Sequence, residues 1–258
     1  MGTTDADVIA TIARGETLTA PEACSAGYRA ELMRVLAVFV DSELAGTAGL
    51  VPFINSAPGL RERATAARIV AEKFDHAHRV LEIMAPFGIN PTLYVRAHCW
   101  DSRLDREMEL GNRRVGGDKR LNVFHAPLEG WLDAITMNML MGAAVAVQLG
   151  ELTDCSYQPL CAVMGEIAAR ESAHAAAGET ALAQAIERSR TPTAAQVAVD
   201  YWYPRVAHTF GRVDSAHFER YRQFGLRRHT NAELLNRWVA TTDPRLTALG
   251  LTPPPIPC

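Results

Sequence analysis

The 258-residue chain has little net charge, few strand signals and no paired-cysteine motif. Its formal net charge is −3 without a long block of one sign, which argues against a nucleic-acid partner. Alternating runs of β-branched and aromatic residues are rare, and no Asn-Gly hairpin turn occurs, so a β-rich fold is excluded. The five cysteines contain no Cys-x-x-Cys spacing, which favours reduced thiols in a cytoplasmic protein.

Long apolar runs are also few. The most apolar stretch, residues 134–150, is about 17 residues long and suits a buried helix better than a membrane span. The polar, acidic start over residues 1–16 predicts no signal peptide. We therefore expect a cytoplasmic protein without a membrane partner, whose 48% hydrophobic residues can form a sizeable core.

Helical spacing of apolar residues dominates and predicts one all-α domain over residues 1–258. A short polar segment precedes the helices, and a Pro-rich tail follows them. The four long helices are predicted over 26–54, 59–86, 127–149 and 156–189, and shorter helices over 192–210, 215–224 and 230–241.

Two of the long helices carry metal-ligand side chains inside an apolar stripe. On the first, Glu43 lies at helical spacing between Phe39 and Gly46. On the fourth, Glu171 and His174 form a Glu-x-x-His pair on an otherwise apolar face. These three side chains are predicted to face the interior.

The second and third long helices show the same interruption of apolar faces. On the second, Lys73 and His76 belong to the apolar stripe, whereas Glu72 and Asp75 belong to a mixed-charge face predicted to be solvated. On the third, Asp133 lies on an apolar face. Interior charge is therefore predicted on all four helices.

Burying an uncompensated carboxylate costs several kcal/mol, so inward carboxylates need a partner. A salt bridge explains any one of them, but their joint occurrence on four helices favours a shared metal site, or its relic. Carboxylates combined with Glu-x-x-His are the ligand set of ferritin-like di-metal proteins. Oxygen and imidazole ligands suit iron or manganese. The predicted ligands are Glu43, His76, Asp133, Glu171 and His174.

Several stretches recur in the order and approximate spacing of a known family. They are SELAG (42–46), SAPGLRERA (56–64), GWLDA (130–134), CSYQPLCAVM (155–164), RESAHAAAG (170–178) and FGLRRHTNAELLNRW (224–238). With them the chain resembles the phenylacetic acid catabolic proteins, in particular the catalytic A subunits of phenylacetyl-CoA epoxidase. The resemblance covers residue 40 to the C-terminus and implies a ferritin-like four-helix bundle with additional C-terminal helices.

The resemblance also implies an activity and its partners. It implies a non-haem di-iron oxygenase, a monooxygenase-like oxidoreductase that hydroxylates or epoxidises an organic, aromatic or acyl, substrate. Two iron ions would be held by the five predicted ligands. Electrons would come from a separate reductase, and another bundle subunit would complete a homo- or hetero-oligomer. The Arg- and Ala-rich composition favours a bacterial source.

The chain departs from the family pattern at one ligand. The family has a glutamate three residues before His76, and this chain has Lys73. An ammonium removes an anionic ligand, so one iron ion or none is also compatible with the sequence. Glu72, one turn from His76, is a possible substitute ligand, although its stripe predicts that it points outward.

Three interpretations of Lys73 remain open. The chain is an active oxygenase despite the change, or it is a non-catalytic ferritin-like scaffold with a degenerate metal site. In the third, Lys73 is catalytic, as a proton donor or an oxidisable side chain. In the metal-free protein, Lys73 is predicted to lie within salt-bridge reach of one or more of Glu43, Asp133 and Glu171.

Overall fold

The computed structural model describes residues 2–113, 115–213, 215 and 217–256. Within this part of the chain the fold is all-α, as predicted, and its only strand-like pairing is an isolated bridge between Leu18 and Tyr157. The four described cysteines are free thiols, and Cys258 lies outside the described residues. The α-helices described are α1 (Asp5–Ala13), α2 (Ala26–Leu50), α3 (Leu60–Met84), α4 (Pro91–Val95), α5 (Trp131–Leu149), α6 (Gln158–Ser189), α7 (Thr193–Ala207), α8 (Phe218–Gln223) and α9 (Asn231–Ala248).

Helices α2, α3, α5 and α6 are the four long helices predicted from the sequence, and they pack together as a bundle. Helix α5 packs most extensively on α6, α2 packs on α3, and α3 also contacts α6. Helices α7 and α9 cover α5. This arrangement is consistent with the predicted ferritin-like bundle with additional C-terminal helices. Most buried apolar residues, from Val8 to Leu251, share one core, and a small second cluster consists of Leu50, Ile69, Val70 and Ala134. The extent of the domain over 1–258 stays a prediction.

Two glycines allow α5 and α6 to approach each other closely. A Cβ at Gly178 would lie 2.7 Å from the backbone nitrogen of Met139, and one at Gly142 would lie 3.1 Å from the carbonyl oxygen of Glu171. Neither position accepts a side chain unless the backbones move. The same contacts show the register of the antiparallel pair, with Gly142 level with Glu171.

Some helix boundaries differ from the predicted ones. Helix α5 begins at Trp131, four residues later than predicted, because the backbone of Gly130 is fully extended. Helix α9 ends at Ala248, seven residues later than predicted. The N-terminal segment, predicted only to be polar, contains α1, which starts at a capping box formed by Thr4 and Asp7.

Two segments are long and apolar enough to cross a membrane, judged by length and composition alone. They are Ala26–Ser56, which contains α2, and Trp131–Leu149, which is α5. The second contains most of the apolar stretch 134–150, for which a buried helix was predicted. In their apolar windows, 50% and 61% of the residues are buried inside the protein. Packing in the bundle core accounts for this apolar character.

Candidate metal centre

Four of the five predicted ligands are buried in the bundle interior, on three helices. Glu43 on α2 is 3% exposed, His76 on α3 is 0% exposed, and Glu171 and His174 on α6 are 0% and 3% exposed. Each lies on the apolar stripe from which its inward direction was predicted. The structure therefore brings carboxylates and imidazoles from three helices to one buried region.

The ammonium of Lys73 contacts both buried carboxylates. Its Nζ donates to Glu171 Oε1 at 2.7 Å, to Glu171 Oε2 at 2.9 Å and to Glu43 Oε1 at 3.4 Å. The Glu171 side chain is fully buried, and the Lys73 side chain is 15% exposed. The salt bridge predicted for the metal-free protein is thus present, with Glu43 and Glu171 but not with Asp133.

Mutual attraction keeps this buried pair ionised. Burial favours a lower pKa for Lys73, but the carboxylates of Glu171 and Glu43 outweigh it and raise the pKa above its ordinary value. Burial favours a higher pKa for Glu171, but the Lys73 ammonium and the two histidines outweigh it and hold the pKa well below the ordinary value. Glu171 is therefore an anion at neutral pH.

His76 has the fewest satisfied polar atoms in the cluster. Its Nδ1 lies 3.2 Å from Glu171 Oε1 and 3.5 Å from Glu43 Oε2, without hydrogen-bond geometry. In the described part of the chain, both ring nitrogens of His76 and Glu43 Oε2 are buried without a hydrogen-bond partner. Buried polar atoms are nearly always satisfied, so these three atoms indicate a ligand. Burial opposes protonation of His76, but the neighbouring carboxylates outweigh it and raise its pKa.

His174 connects the cluster to Glu72. Its Nδ1 lies 3.2 Å from Glu171 Oε1, and its Nε2 lies 2.5 Å from Glu72 Oε2. The expectation that Glu72 points outward is therefore only partly correct, because its side chain is 32% exposed and its carboxylate reaches an interior histidine. Asp75, from the same predicted face, is at the surface and pairs with Arg170. Glu72 remains a candidate substitute ligand.

The fifth predicted ligand, Asp133, is not brought into the cluster. Its carboxylate accepts a hydrogen bond from Arg106 Nη1 at 2.6 Å and another from the backbone N–H of Glu129 at 3.0 Å. Gly142 is the α5 residue level with Glu171. Asp133 precedes it by nine residues, which displaces it by roughly 13 Å along the helix axis. The apolar stripe of the third long helix correctly predicted that Asp133 lies on a buried face. The stripe could not predict how α5 is staggered along α6.

Sequence reasoning missed Arg106 and Asn138. Arg106 lies between helices, where no periodicity marks it, and its guanidinium stacks on the Tyr201 ring at 3.9 Å from the centroid. Asn138 donates from Nδ2 to the carbonyl oxygen of His174 at 2.7 Å. The sequence did mark Asn138, because it is an amide residue within an otherwise apolar helix. Beside His174, the polar side chain on α5 is therefore the amide of Asn138 and not a carboxylate.

Two adjoining cavities lie beside the cluster. The cleft, of about 260 Å³, lies between α3, α5 and α6 and is lined mainly by apolar side chains, including Ile69. The chamber, of about 40 Å³, reaches Lys73. Leu50, Ala134 and Asn138 line both cavities, so the two are adjacent. The cleft offers space for an organic molecule beside the buried charges.

The side chains fit one metal ion better than two. Potential ligand atoms of Glu43, His76 and Glu171 all lie within 4.8 Å of one another. The unsatisfied atoms of Glu43 and His76 belong to this group, and His174 adjoins it. A second ion would need a carboxylate where Lys73 stands and one from α5. The structure has an ammonium at the first position, and Asp133 on α5 lies away from the cluster and is bound to Arg106.

Comparison with known proteins shows the family to which the chain belongs. Residues 12–257 match the family described as phenylacetic acid catabolic protein. The chain is also similar to a subunit of the 1,2-phenylacetyl-CoA epoxidase of Escherichia coli strain K12, with 27% identity over 231 residues. The aligned region covers 88% of this chain and 70% of the relative. Because the family match extends over almost the whole sequence, the chain belongs to the phenylacetic acid catabolic protein family.

Proposed function

We propose that the protein is an oxygenase-type oxidoreductase that binds one iron ion at Glu43, His76, Glu171 and His174. Its substrate would be an organic molecule in the cleft, which is hydroxylated or epoxidised. One observation carries the proposal: Glu43 Oε2 and both ring nitrogens of His76 are buried without a hydrogen-bond partner beside an ionised Glu171. The epoxidase name of the E. coli relative supports the reaction class.

Each side chain has a role that its surroundings support. Glu43 and Glu171 would supply anionic oxygens, and His76 and His174 would supply neutral nitrogens. Iron, when bound, supplies the capacity to reduce dioxygen and transfer an oxygen atom. Lys73 keeps Glu171 ionised in the metal-free protein and holds its own proton on Nζ.

The catalytic role predicted for Lys73 depends on metal binding. Its raised pKa makes the ammonium a poor proton donor while both carboxylates contact it. With a metal ion held by Glu171, the attraction that raises this pKa would weaken, and burial of the ammonium would favour release of the proton. Lys73 would then be placed to donate a proton to the substrate.

The cleft would exclude water from the substrate. Its apolar lining suits an aromatic or acyl body. We further propose that electrons come from a separate reductase, that the chain associates with a second bundle subunit, and that it acts in the cytoplasm. The word "subunit" in the relative's name supports the association.

A second candidate function is a non-catalytic scaffold, and Lys73 supports it. Its ammonium already contacts Glu43 and Glu171 and offsets part of their negative charge, as a metal ion would. In a scaffold subunit this salt bridge would be permanent. The bundle would then keep its interior charges balanced without iron.

Iron content after anaerobic loading distinguishes the two candidates. We expect about one iron per chain after loading with ferrous ion and desalting. No bound iron would support the scaffold. Consumption of dioxygen with a chemical reductant then tests the oxygenase. Glu171→Ala should abolish it and Asp133→Asn should retain it, whereas equal rates in both variants would contradict the proposed site.

A further inference from the structure

The chamber beside Lys73 contains cations and no carboxylate. Its lining includes the two cationic side chains of Lys73 and Arg103, the amide of Asn138, and otherwise apolar side chains or glycines. The charge of Lys73 is balanced by Glu171. Arg103 forms no ion pair with any carboxylate in the described part of the chain, and its hydrogen bonds go to backbone carbonyls. The chamber therefore has an unbalanced positive charge.

Backbone carbonyl groups hold Arg103 in place. Its Nη1 donates to the carbonyl oxygens of Trp100 and Ser102, both at 2.8 Å, and its Nη2 donates to that of Ala45 at 2.6 Å. A guanidinium has five N–H bonds, so donors remain on Nε and Nη2. A Cβ at Gly49 would lie 2.3 Å from Nη2, so α2 accommodates the guanidinium only because residue 49 is glycine.

Arg120 shows how an arginine of the same region is balanced. It also donates to the carbonyl oxygens of Trp100 and Ser102, but it pairs with Asp118 at 2.7 Å. Arg120 does not line the chamber. Arg103 has the same anchors without an ion pair. Burial and the positive charge of Arg120 lower the pKa of Arg103 to about 10, and the carboxylates of Asp101 and Asp118 offset this only in part.

A further donor lies in the chamber wall. Trp202 is fully buried and lines the chamber, and its indole N–H has no acceptor among the described residues. An indole nitrogen can only donate, so its missing partner must be an acceptor. The chamber volume of about 40 Å³ has room for a carboxylate group, or about three water molecules.

We propose that the chamber binds a carboxylate of the substrate between Arg103 and the Trp202 indole, with the apolar body of the substrate in the cleft. This inference rests on the proposed function for its assumption that the substrate occupies the cleft. It specifies the substrate class as an apolar carboxylic acid. Guanidinium groups bind carboxylates through two N–H donors, and Arg103 has donors free on Nε and Nη2.

Binding to the metal-free protein tests this proposal without oxygenase activity. Octanoate and phenylacetate would be titrated by calorimetry at constant ionic strength. The neutral primary amide of each acid would be titrated in parallel for comparison. The unmodified protein should bind each acid at least about tenfold more tightly than its amide. Arg103→Gln should remove most of this preference and change amide binding by less than about twofold. Arg120→Gln, the matched control, should keep the preference, and its melting temperature reports any damage to the region.

Equal affinity for acid and amide in the unmodified protein would overturn the proposal, as would an unchanged preference in Arg103→Gln. Loss of the preference in Arg68→Gln would also overturn it, since Arg68 is an exposed residue of the cleft. If Arg103→Gln does not fold, Trp202→Phe provides the test. It should weaken octanoate binding about threefold to tenfold, and unchanged binding would refute the site. Absence of iron binding would overturn only the proposed function.

Discussion

Two cation–carboxylate pairs inside the bundle differ in the ionisable side chains beside them. Lys73 pairs with Glu171 beside atoms of His76 and Glu43 that lack hydrogen-bond partners. Arg106 pairs with Asp133, whose Oδ2 also accepts the Glu129 N–H, and it donates to a backbone carbonyl as well. The second pair is complete as it stands.

The comparison shows that an inward carboxylate in the sequence does not by itself indicate a ligand-binding site. Both Asp133 and Glu171 interrupt apolar stripes, so helical periodicity treats them alike. The difference is whether ionisable side chains beside the pair keep atoms without hydrogen-bond partners after folding, as Glu43 and His76 do. Satisfied pairs are typical of structural sites, whereas leftover donors and acceptors indicate a missing ligand.

The largest expected effect concerns stability. Lys73→Met removes the ammonium between two buried carboxylates and should lower the free energy of unfolding of the metal-free protein by about 3–5 kcal/mol. Arg106→Met should cost only about 1–2 kcal/mol, because Asp133 keeps the Glu129 N–H. Chemical denaturation with a chelator present measures both changes. Equal losses would remove the energetic distinction between the pairs.

The next effect concerns metal affinity. Glu171→Ala should weaken manganese(II) binding by about 100-fold or more, and Asp133→Ala should change it by less than about threefold. Glu72→Ala should fall between them, since Glu72 reaches the cluster only through His174. Calorimetric titration under anaerobic conditions gives the three constants. A loss in Glu72→Ala as large as that in Glu171→Ala would show that Glu72 has replaced the missing ligand.

A gain of function tests the position of Lys73. Lys73→Glu introduces a carboxylate beside Glu43 and Glu171 and should raise iron content from about one ion per chain toward two, with about tenfold tighter binding. Elemental analysis after anaerobic loading measures the stoichiometry. Arg106→Glu is the control and should leave the iron content unchanged. Unchanged stoichiometry and affinity in Lys73→Glu would mean that residue 73 is not a ligand position.

The smallest effect concerns pH. As the pH rises, the contribution of His76 to stability should fall, whereas the affinity for metal should increase. The pKa of His76 is raised above its ordinary value. Its contribution to stability is complete below the unfolded-state pKa of about 6.5 and is lost as pH rises through the folded-state pKa. Metal must displace this proton, so affinity should rise several-fold as pH increases through the same range. Denaturation and metal titrations at pH 6, 7 and 8 give both trends, and Asp133→Asn should show the same ones.

The sequence predicted the orientation of side chains better than the stagger of helices. Glu43, His76, Glu171 and His174 were found because each interrupts an apolar stripe of its own helix, and burial follows that stripe. The structure does not bring Asp133 to the other four, because the stagger between two helices depends on the close approach at their glycines, which no single stripe records.

Long side chains and short helices account for other differences. Glu72 belongs to the charged stripe, but its side chain is long enough to reach His174 from there. Helix α1 was missed although Thr4 and Asp7 carry a recognisable cap, because nine residues give little periodicity. The chamber donors Arg103 and Trp202 were not predicted either, since a cavity exists only after distant segments have packed.

The close crossing of α5 and α6 also determines how the site can open. Backbones that touch at Gly142 and Gly178 cannot slide or separate in small steps, so amide hydrogen exchange should be slowest along this helix pair. Glu171 and His174 lie on it, whereas Lys73 and His76 lie on α3, which packs less extensively on α6. In a partial opening, Glu171 and His174 would therefore stay in place on α6 while α3 carries Lys73 and His76 away from them.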